Sequence, residues 1–207
     1  MSRGKYDRSQ TAAERQLVGR EHLLDTATEV FAAKSVAGTR VDDLVERAGI
    51  SRRTLYQHFA SVDAVLDAVY ERAVRNSFMS VFEALAGISD PIERIHEGVR
   101  AYFRIIADNP SAARVVFVEY RYAGPAQAAK YELNTTRYAA LLLEFLNAAF
   151  AGKRLGRPPD ETSAYALTRA LEAVGVRAIL RGEPDTLAAL APQMSMLILE
   201  AFRFVSP

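Results

Sequence analysis

The chain has no cysteine, which excludes disulfides, thiol redox sensing and the usual zinc–cysteine sites. It has only three histidines, His22, His58 and His96, scattered without the spacing of a metal centre. No apolar run approaches the ~20 residues that span a bilayer, and the N-terminal stretch has no apolar signal segment. A soluble cytoplasmic protein, without membrane contact, is the expectation. Neither sign of charge is in excess: the net charge of +1 is not that of a generic polycation. Phosphate-cradling glycine loops and nucleophile elbows are missing, since Gly152 and Gly156 flank basic residues without a strand–helix context. No constellation of catalytic groups emerges, so no enzyme activity, cofactor or metal is expected. Nor does any segment alternate convincingly as a strand.

Half of the 207 residues are hydrophobic, ample for a substantial core in one large or two small domains. The most informative segment is 39–59. Thr39 and Asp42 have capping-box spacing, so a short helix is expected just after Thr39, with Leu44, Val45 and Ala48 as its apolar stripe. Gly49 permits the left-handed backbone that ends that helix and reverses the chain. Ser51 is a good N-cap for a second helix, whose first turn would display Arg52, Arg53 and Thr54. Leu55 and Phe59, four apart, would bury together and leave Tyr56, Gln57 and His58 outside or at the edge.

Two short helices joined by a glycine turn suggest a helix-turn-helix, whose second helix enters the DNA major groove. Arginine suits that role because its planar fork can bond guanine O6 and N7 or clamp a phosphate. Paired arginines alone would equally describe a solvated turn between helices. Cap, turn, arginines and aromatic lock in this order favour DNA reading.

The segment 20–66 resembles the DNA-binding domain of the TetR (tetracycline-repressor-like) family of bacterial regulators. The resemblance rests on Leu23-Leu24-Asp25-Thr26-Ala27-Thr28-Glu29-Val30-Phe31, on Ala48-Gly49-Ile50-Ser51, and on Thr54-Leu55-Tyr56 with His58-Phe59. It implies base readers at Arg52, Arg53 and Gln57, and backbone contacts at Thr54, Tyr56, His58 and Arg40. Three positions depart from the family pattern. Ser35 stands where glycine is usual after the first helix, so that corner is expected to be built differently. Arg40 replaces the common threonine. Ser61-Val62-Asp63 replaces Ser-Lys-Glu, so a lysine contact to phosphate is missing and Arg40 or Arg53 is expected to offset it.

The organisation expected is all-α with about nine helices. A flexible arm over 1–16 precedes a helix-turn-helix domain over 17–60 and a larger helical effector-binding and dimerisation domain over 61–207. Residues 1–20 hold five basic side chains, Arg3, Lys5, Arg8, Arg15 and Arg20, against Asp7 and Glu14. That arm either enters an adjacent minor groove or is an ordinary terminus. Ser61 can cap a long fourth helix to about Leu85, which would act as a lever between the domains. Asp90-Pro91 starts a fifth that ends near Asn109-Pro110. A sixth is expected over 111–122, a seventh from Gly124-Pro125 to about Phe150, an eighth over 160–180 and a ninth over 185–204, with 152–159 a loop.

Leu167, Leu171 and Val174 form one apolar stripe near the C-terminus; Leu187, Leu190, Met194 and Leu197 form another. They either face the internal core or pair with a second copy as a four-helix bundle. The resemblance and the need for two reading helices on a twofold axis favour a homodimer on a palindromic operator. Aromatic residues concentrate in the middle of the chain. Tyr102, Ile106, Phe117, Tyr120, Tyr138, Leu142 and Glu172 are candidates for lining an effector cavity, the small Gly175 leaving room beside Glu172. Each could equally be plain core. The expected function is a dimeric repressor of double-stranded operator DNA, released by a small, largely apolar or aromatic effector. An activator or corepressor-dependent regulator of the same fold, or an all-helical enzyme, are the alternatives.

Overall fold

The computed structural model describes residues 12–203, and side chains from Val18 onward. Arg3, Lys5 and Arg8 of the expected arm lie outside the described residues, as does the Arg15 side chain. Among the described residues there are nine α-helices and no strand, the all-α architecture anticipated from sequence. They divide into two compact units, with the boundary between Val69 and Tyr70.

The first unit holds α1 (Ala12–Lys34), α2 (Val41–Ala48), α3 (Arg52–His58) and the first turns of α4 (Val62–Ala84). Its core is made by Leu23, Leu24 and Phe31 of α1, Leu44 of α2, Leu55 of α3, and Val65 and Leu66 of α4, all fully buried. Each such side chain contributes about 1.5–3 kcal/mol on burial, which outweighs the weak helical propensity of segments only seven or eight residues long.

The corner between α1 and α2 corrects two expectations. Ser35 adopts the left-handed conformation itself, at φ 65°, so the corner is built as glycine would build it, with an L-residue in the strained place. Thr39 is not the cap of α2. It is buried, and its hydroxyl donates back to the Ser35 carbonyl at 2.6 Å, closing the corner. The N-cap is Arg40, whose backbone N–H donates to the Asp43 carboxylate at 2.8 Å. The acid that completes the cap is thus one residue further on than the spacing implied. At the other end of α2 the expectation holds. Gly49 is left-handed, and the Ser51 hydroxyl accepts from the Thr54 N–H at 3.0 Å to start α3.

The second unit continues α4 and adds α5 (Pro91–Asp108), α6 (Pro110–Arg114), α7 (Pro125–Ala151), α8 (Glu161–Arg181) and α9 (Leu187–Glu200). Asp90 caps α5 by accepting from Ile92 N–H, and Asp160 caps α8 by accepting from Ser163 N–H, both at 2.8 Å. The expected helix over 111–122 is not regular. Only five residues are α-helical before a wide π turn (Val115–Glu119) and a tight 3-10 turn (Tyr120–Tyr122). The register shift ends with Tyr120 fully buried and stacked on Tyr70, ring centroids 3.7 Å apart. α9 also begins later and ends earlier than expected, after a 3-10 turn at Pro184–Thr186. Its end is set by the 152–159 loop. Gly156 N–H donates to the Phe202 carbonyl at 2.7 Å and Arg157 Nε to the Ala201 carbonyl at 2.8 Å.

Candidate nucleic-acid interface and effector cavity

In the first unit, α3 is held by one buried face and presents the other. Leu55 and Phe59 are buried, and α1 fixes the end of α2 through His22, whose Nε2 lies 3.3 Å from the Ala48 carbonyl. A carbonyl only accepts, so Nε2 carries the proton. Arg52, Arg53, Tyr56 and Gln57 are exposed, and Thr54 and His58 half-buried; Arg40 is exposed at the start of α2. Side chains capable of meeting bases and phosphates are therefore accessible on α3 and at the start of α2.

The two arginines are not equivalent. Arg52 is clamped by Asp42 of α2, with Nε to Oδ1 at 2.7 Å and Nη2 to Oδ2 at 2.5 Å. That hydrogen-bonded carboxylate raises the Arg52 pKa above its ordinary value. Arg53 makes no ion pair among the described residues. Asp43, beside them, accepts from Lys34 Nζ at 2.5 Å as well as from Arg40 N–H, and these bonds, Lys34's first, hold its carboxyl below the ordinary 3.8. Nothing in sequence spacing announces the Asp42–Arg52 pair, which joins residues ten apart across the turn.

In the second unit a small open cleft, with a cavity volume of about 60 Å³, lies among α4, α5, α7 and α8. Val81, Ile95, Val99, Leu141, Leu142, Phe145 and Leu171 give it an apolar wall, and Gly98 leaves one side open. Its polar groups are few: Arg94, Tyr102, Tyr138 and Thr168. Arg94 is tied down, donating from Nε to the Ile88 carbonyl at 2.6 Å with its guanidinium over the Phe145 ring. Tyr138 stacks on Phe78 at 4.1 Å and shares a 2.6 Å hydrogen bond with Ser77. Burial pushes its hydroxyl up to about 12, so it stays protonated. Tyr102 meets Tyr138 edge-on, and burial holds its pKa well above the ordinary value too.

Of the sequence candidates for this cavity, Tyr102, Tyr138 and Leu142 line it. Phe117 stands behind Tyr102, edge to its ring at 6.4 Å. Ile106 and Tyr120 are packed in the interior. The space expected beside Gly175 is filled: a Cβ there would come within 2.8 Å of Ile106 Cδ1. Glu172 is buried and held by Arg169, at 2.9 and 3.2 Å, and by Arg121 at 3.4 Å. Gly98 and Arg94 were missed, although a lone glycine inside a strong helical pattern is itself a sign of a special packing need.

The α8–α9 stripes divide as well. Leu171 and Leu187 are buried, and Leu167, Val174, Leu190 and Met194 pack half-buried against the same core. The inward positions of α9 are Leu187, Ala191, Ser195 and Ile198, which turns Leu197 outward at 50% exposure, with Met196 and Leu180 also exposed. Among the described residues no helix is long and apolar enough to cross a membrane.

Comparison with known proteins agrees with this arrangement. Residues 23–69 match the model of the tetR family of bacterial regulatory proteins, and residues 89–175 that of the tetracyclin repressor-like C-terminal domain. The transcriptional activator FasR of Mycolicibacterium smegmatis is 33% identical over 116 residues. That match covers 56% of this chain and 53% of FasR, so the chain spans about half of that relative's length. The transcriptional repressor KstR2 of Rhodococcus jostii is 26% identical over 183 residues, 87% of this chain and 89% of KstR2. Among solved structures, the Bacillus subtilis regulator FadR in complex with stearoyl-CoA superposes with a TM-score of 0.79. It is 16% identical, and 88% of this chain and 99% of that one are covered. With a helix-turn-helix at its N-terminus and matches to both parts of the fold, the chain belongs to the TetR family of bacterial transcriptional regulators.

Proposed function

We propose that this regulator is a homodimeric repressor that binds a palindromic operator and is released by a small, largely apolar effector. The observation that carries the reading is the apolar cleft of the second unit, whose wall bears few, oriented polar groups. FadR of Bacillus subtilis, of the same fold, holds stearoyl-CoA, which supports an occupant with a long apolar part. Residues 17–60 carry DNA recognition; residues 61–207 carry effector binding and dimerisation. Arg53 and Gln57 read bases, with Arg52 reading while Asp42 fixes its fork. Arg40, Thr54, Tyr56 and His58 hold the backbone. The exposed Leu197, with Leu190, Met194, Leu167 and Val174 at the rim, forms the dimer face. An effector that binds better when the reading helices are spread lowers operator affinity by linkage, a coupling of ~1–3 kcal/mol. α4 is the lever, since Val65 and Leu66 belong to one core and Val81 to the other.

Fluorescence anisotropy on the DNA flanking the gene tests this, with light scattering to give the oligomeric state. Specific binding as a dimer, abolished by Arg53→Ala and weakened by a saturating effector, is expected. A chain that is monomeric at micromolar concentration, or effector saturation without change in operator affinity, refutes it. FasR favours a second reading, because it is an activator and shares 33% identity with this chain. Reporter output that falls on deleting the gene would select activation.

A further inference from the structure

Three hydroxyls stand in the wall of the cleft, and two of them are engaged within the protein. Thr168 donates to the Ala164 carbonyl at 2.9 Å, one turn back on α8. The Tyr138 hydroxyl shares its 2.6 Å bond with Ser77 of α4. Tyr102 lines the same cleft, yet its hydroxyl has no hydrogen-bond partner among the described residues. Packing fixes it instead: Tyr138 meets its ring edge-on with centroids 5.6 Å apart, and Phe117 does the same at 6.4 Å. Buried polar groups in folded proteins are normally paired. A positioned hydroxyl without a partner, in the wall of a cavity, therefore calls for an acceptor from outside the chain.

The surroundings say which kind of acceptor. Burial holds the phenol pKa well above its ordinary value, so at neutral pH Tyr102 is a donor and not a phenolate. Arg94, the cation in the wall, stands two turns before Tyr102 on α5, about 12 Å along the helix axis. It is tied to the Ile88 carbonyl at 2.6 Å. Glu172 and Arg169, whose charges also reach Tyr102, are paired with each other at 2.9 Å. A carboxylate set against the phenol would therefore lose its hydration in an apolar wall without gaining a counter-charge. A carbonyl or alcohol oxygen loses far less. Gly98, midway between Arg94 and Tyr102, has open space where a side chain would stand, so an apolar body can lie along this face of α5.

We propose that Tyr102 selects the effector, its hydroxyl donating to a neutral oxygen, a carbonyl or an alcohol, on an otherwise apolar molecule. This rests on the effector reading of the cleft and adds the chemistry of the group recognised inside it. With a cavity volume of about 60 Å³, the cleft takes in one end of a molecule, and the oxygen belongs to that end. Tyr102 has no hydrogen bond within the protein to lose, which separates it from Tyr138, whose bond to Ser77 ties α7 to α4.

Ligand-detected NMR titration of the full-length protein with acetophenone, α-methylstyrene and benzoate tests it. The three share one shape and differ in the group on the ring: a neutral oxygen acceptor, a methylene in its place, and a carboxylate. Acetophenone should bind about 5-fold more tightly than α-methylstyrene, the factor a neutral hydrogen bond supplies, and more tightly than benzoate. Tyr102→Phe should bring acetophenone down to the level of α-methylstyrene and leave the latter unchanged. Its thermal midpoint should not fall, whereas that of Tyr138→Phe should. Equal affinity for acetophenone and α-methylstyrene, or tighter binding of benzoate, overturns this inference and leaves the cleft reading standing. So does a Tyr102→Phe variant that keeps the preference or melts earlier, since the hydroxyl then serves the fold. Absence of binding by all three overturns both.

Discussion

Replacing Ser35 with glycine should stabilise the protein, although it removes a side chain and a hydrogen bond. Ser35 sits at φ 65°, where an L-residue costs about 1–2 kcal/mol from the approach of Cβ to the backbone. Glycine removes that strain but gives the unfolded chain more freedom, an opposing ~0.5–1 kcal/mol. The Ser35 hydroxyl accepts from the Gly38 N–H at 3.4 Å, a long bond whose loss costs no more than ~0.5 kcal/mol. The net is about 0.5 kcal/mol in favour of Ser35→Gly, a shift of about 1–2 °C in Tm for a chain of this size. Urea unfolding resolves it if the midpoint rises at constant slope. Gly49→Ala and Gly182→Ala are the controls. Their φ values are 65° and 70°, and a Cβ at either meets nothing within 4 Å, so only backbone strain is added. Each should lower stability by about 1 kcal/mol or more. A lowered midpoint for Ser35→Gly, or none for Gly49→Ala, refutes the assignment of strain at these corners.

On the reading face, Asp42→Ala should raise affinity for unrelated DNA and narrow the ratio of operator to non-specific binding, because it removes an acid and frees the Arg52 fork. Arg53→Ala should abolish specific operator binding and leave the weaker binding to unrelated DNA, since a base reader carries the discrimination; anisotropy on operator and unrelated DNA measures both. In the cleft, Gly98→Ala should stabilise by about 1 kcal/mol, since it is a helix-interior glycine with open space beside it. Gly98→Leu should instead fill the cleft, so that operator binding persists but the effector no longer weakens it. The carboxyls of Asp43, Asp90 and Asp160 all lie below their ordinary 3.8. For Asp43 the leading cause is the bond from Lys34, for Asp90 that from Ile92 N–H, and for Asp160 that from the Ser163 hydroxyl. Their folded values are depressed, so their stabilisation is complete above that pH and lost as pH falls below it. Changing all three to Asn should flatten the acid limb of a stability–pH curve and leave the curve above pH 5 parallel to wild type.

The reading head could be worked out from sequence because its determinants are local. Gly49, Ser51, Leu55 and Phe59 act within one or two turns of each other, through a C-cap, an N-cap and an i,i+4 pair. Errors in that half also have local causes. Thr39 and Arg40 both precede an acid at capping distance, Asp42 and Asp43, and spacing alone cannot choose between the two frames. Asp43 wins because Lys34, nine residues back, holds its carboxylate in place. The Ser35 corner shows the complementary limit. Propensity argues against serine there, but the closure made by Thr39 and the packing of α1 on α2 impose the conformation regardless.

The effector half resisted because its decisive contacts are made between distant residues. Ser77 with Tyr138, Arg121 with Glu172 and His96 with Ser195 join positions 61, 51 and 99 apart. Periodicity identified the helices and their apolar faces, but not which face closes on a neighbour and which borders a cleft. Tyr120 and Tyr138 are alike in sequence, yet one is stacked in the interior and the other lines the cavity. Glu172 was expected to line the cavity, with room left beside it by the small Gly175. It is buried instead, and can be only because Arg169, one turn away, neutralises it, and that i,i+3 pair is visible in the sequence. The second arginine is not visible, because the irregular turns after Arg114 set where Arg121 points.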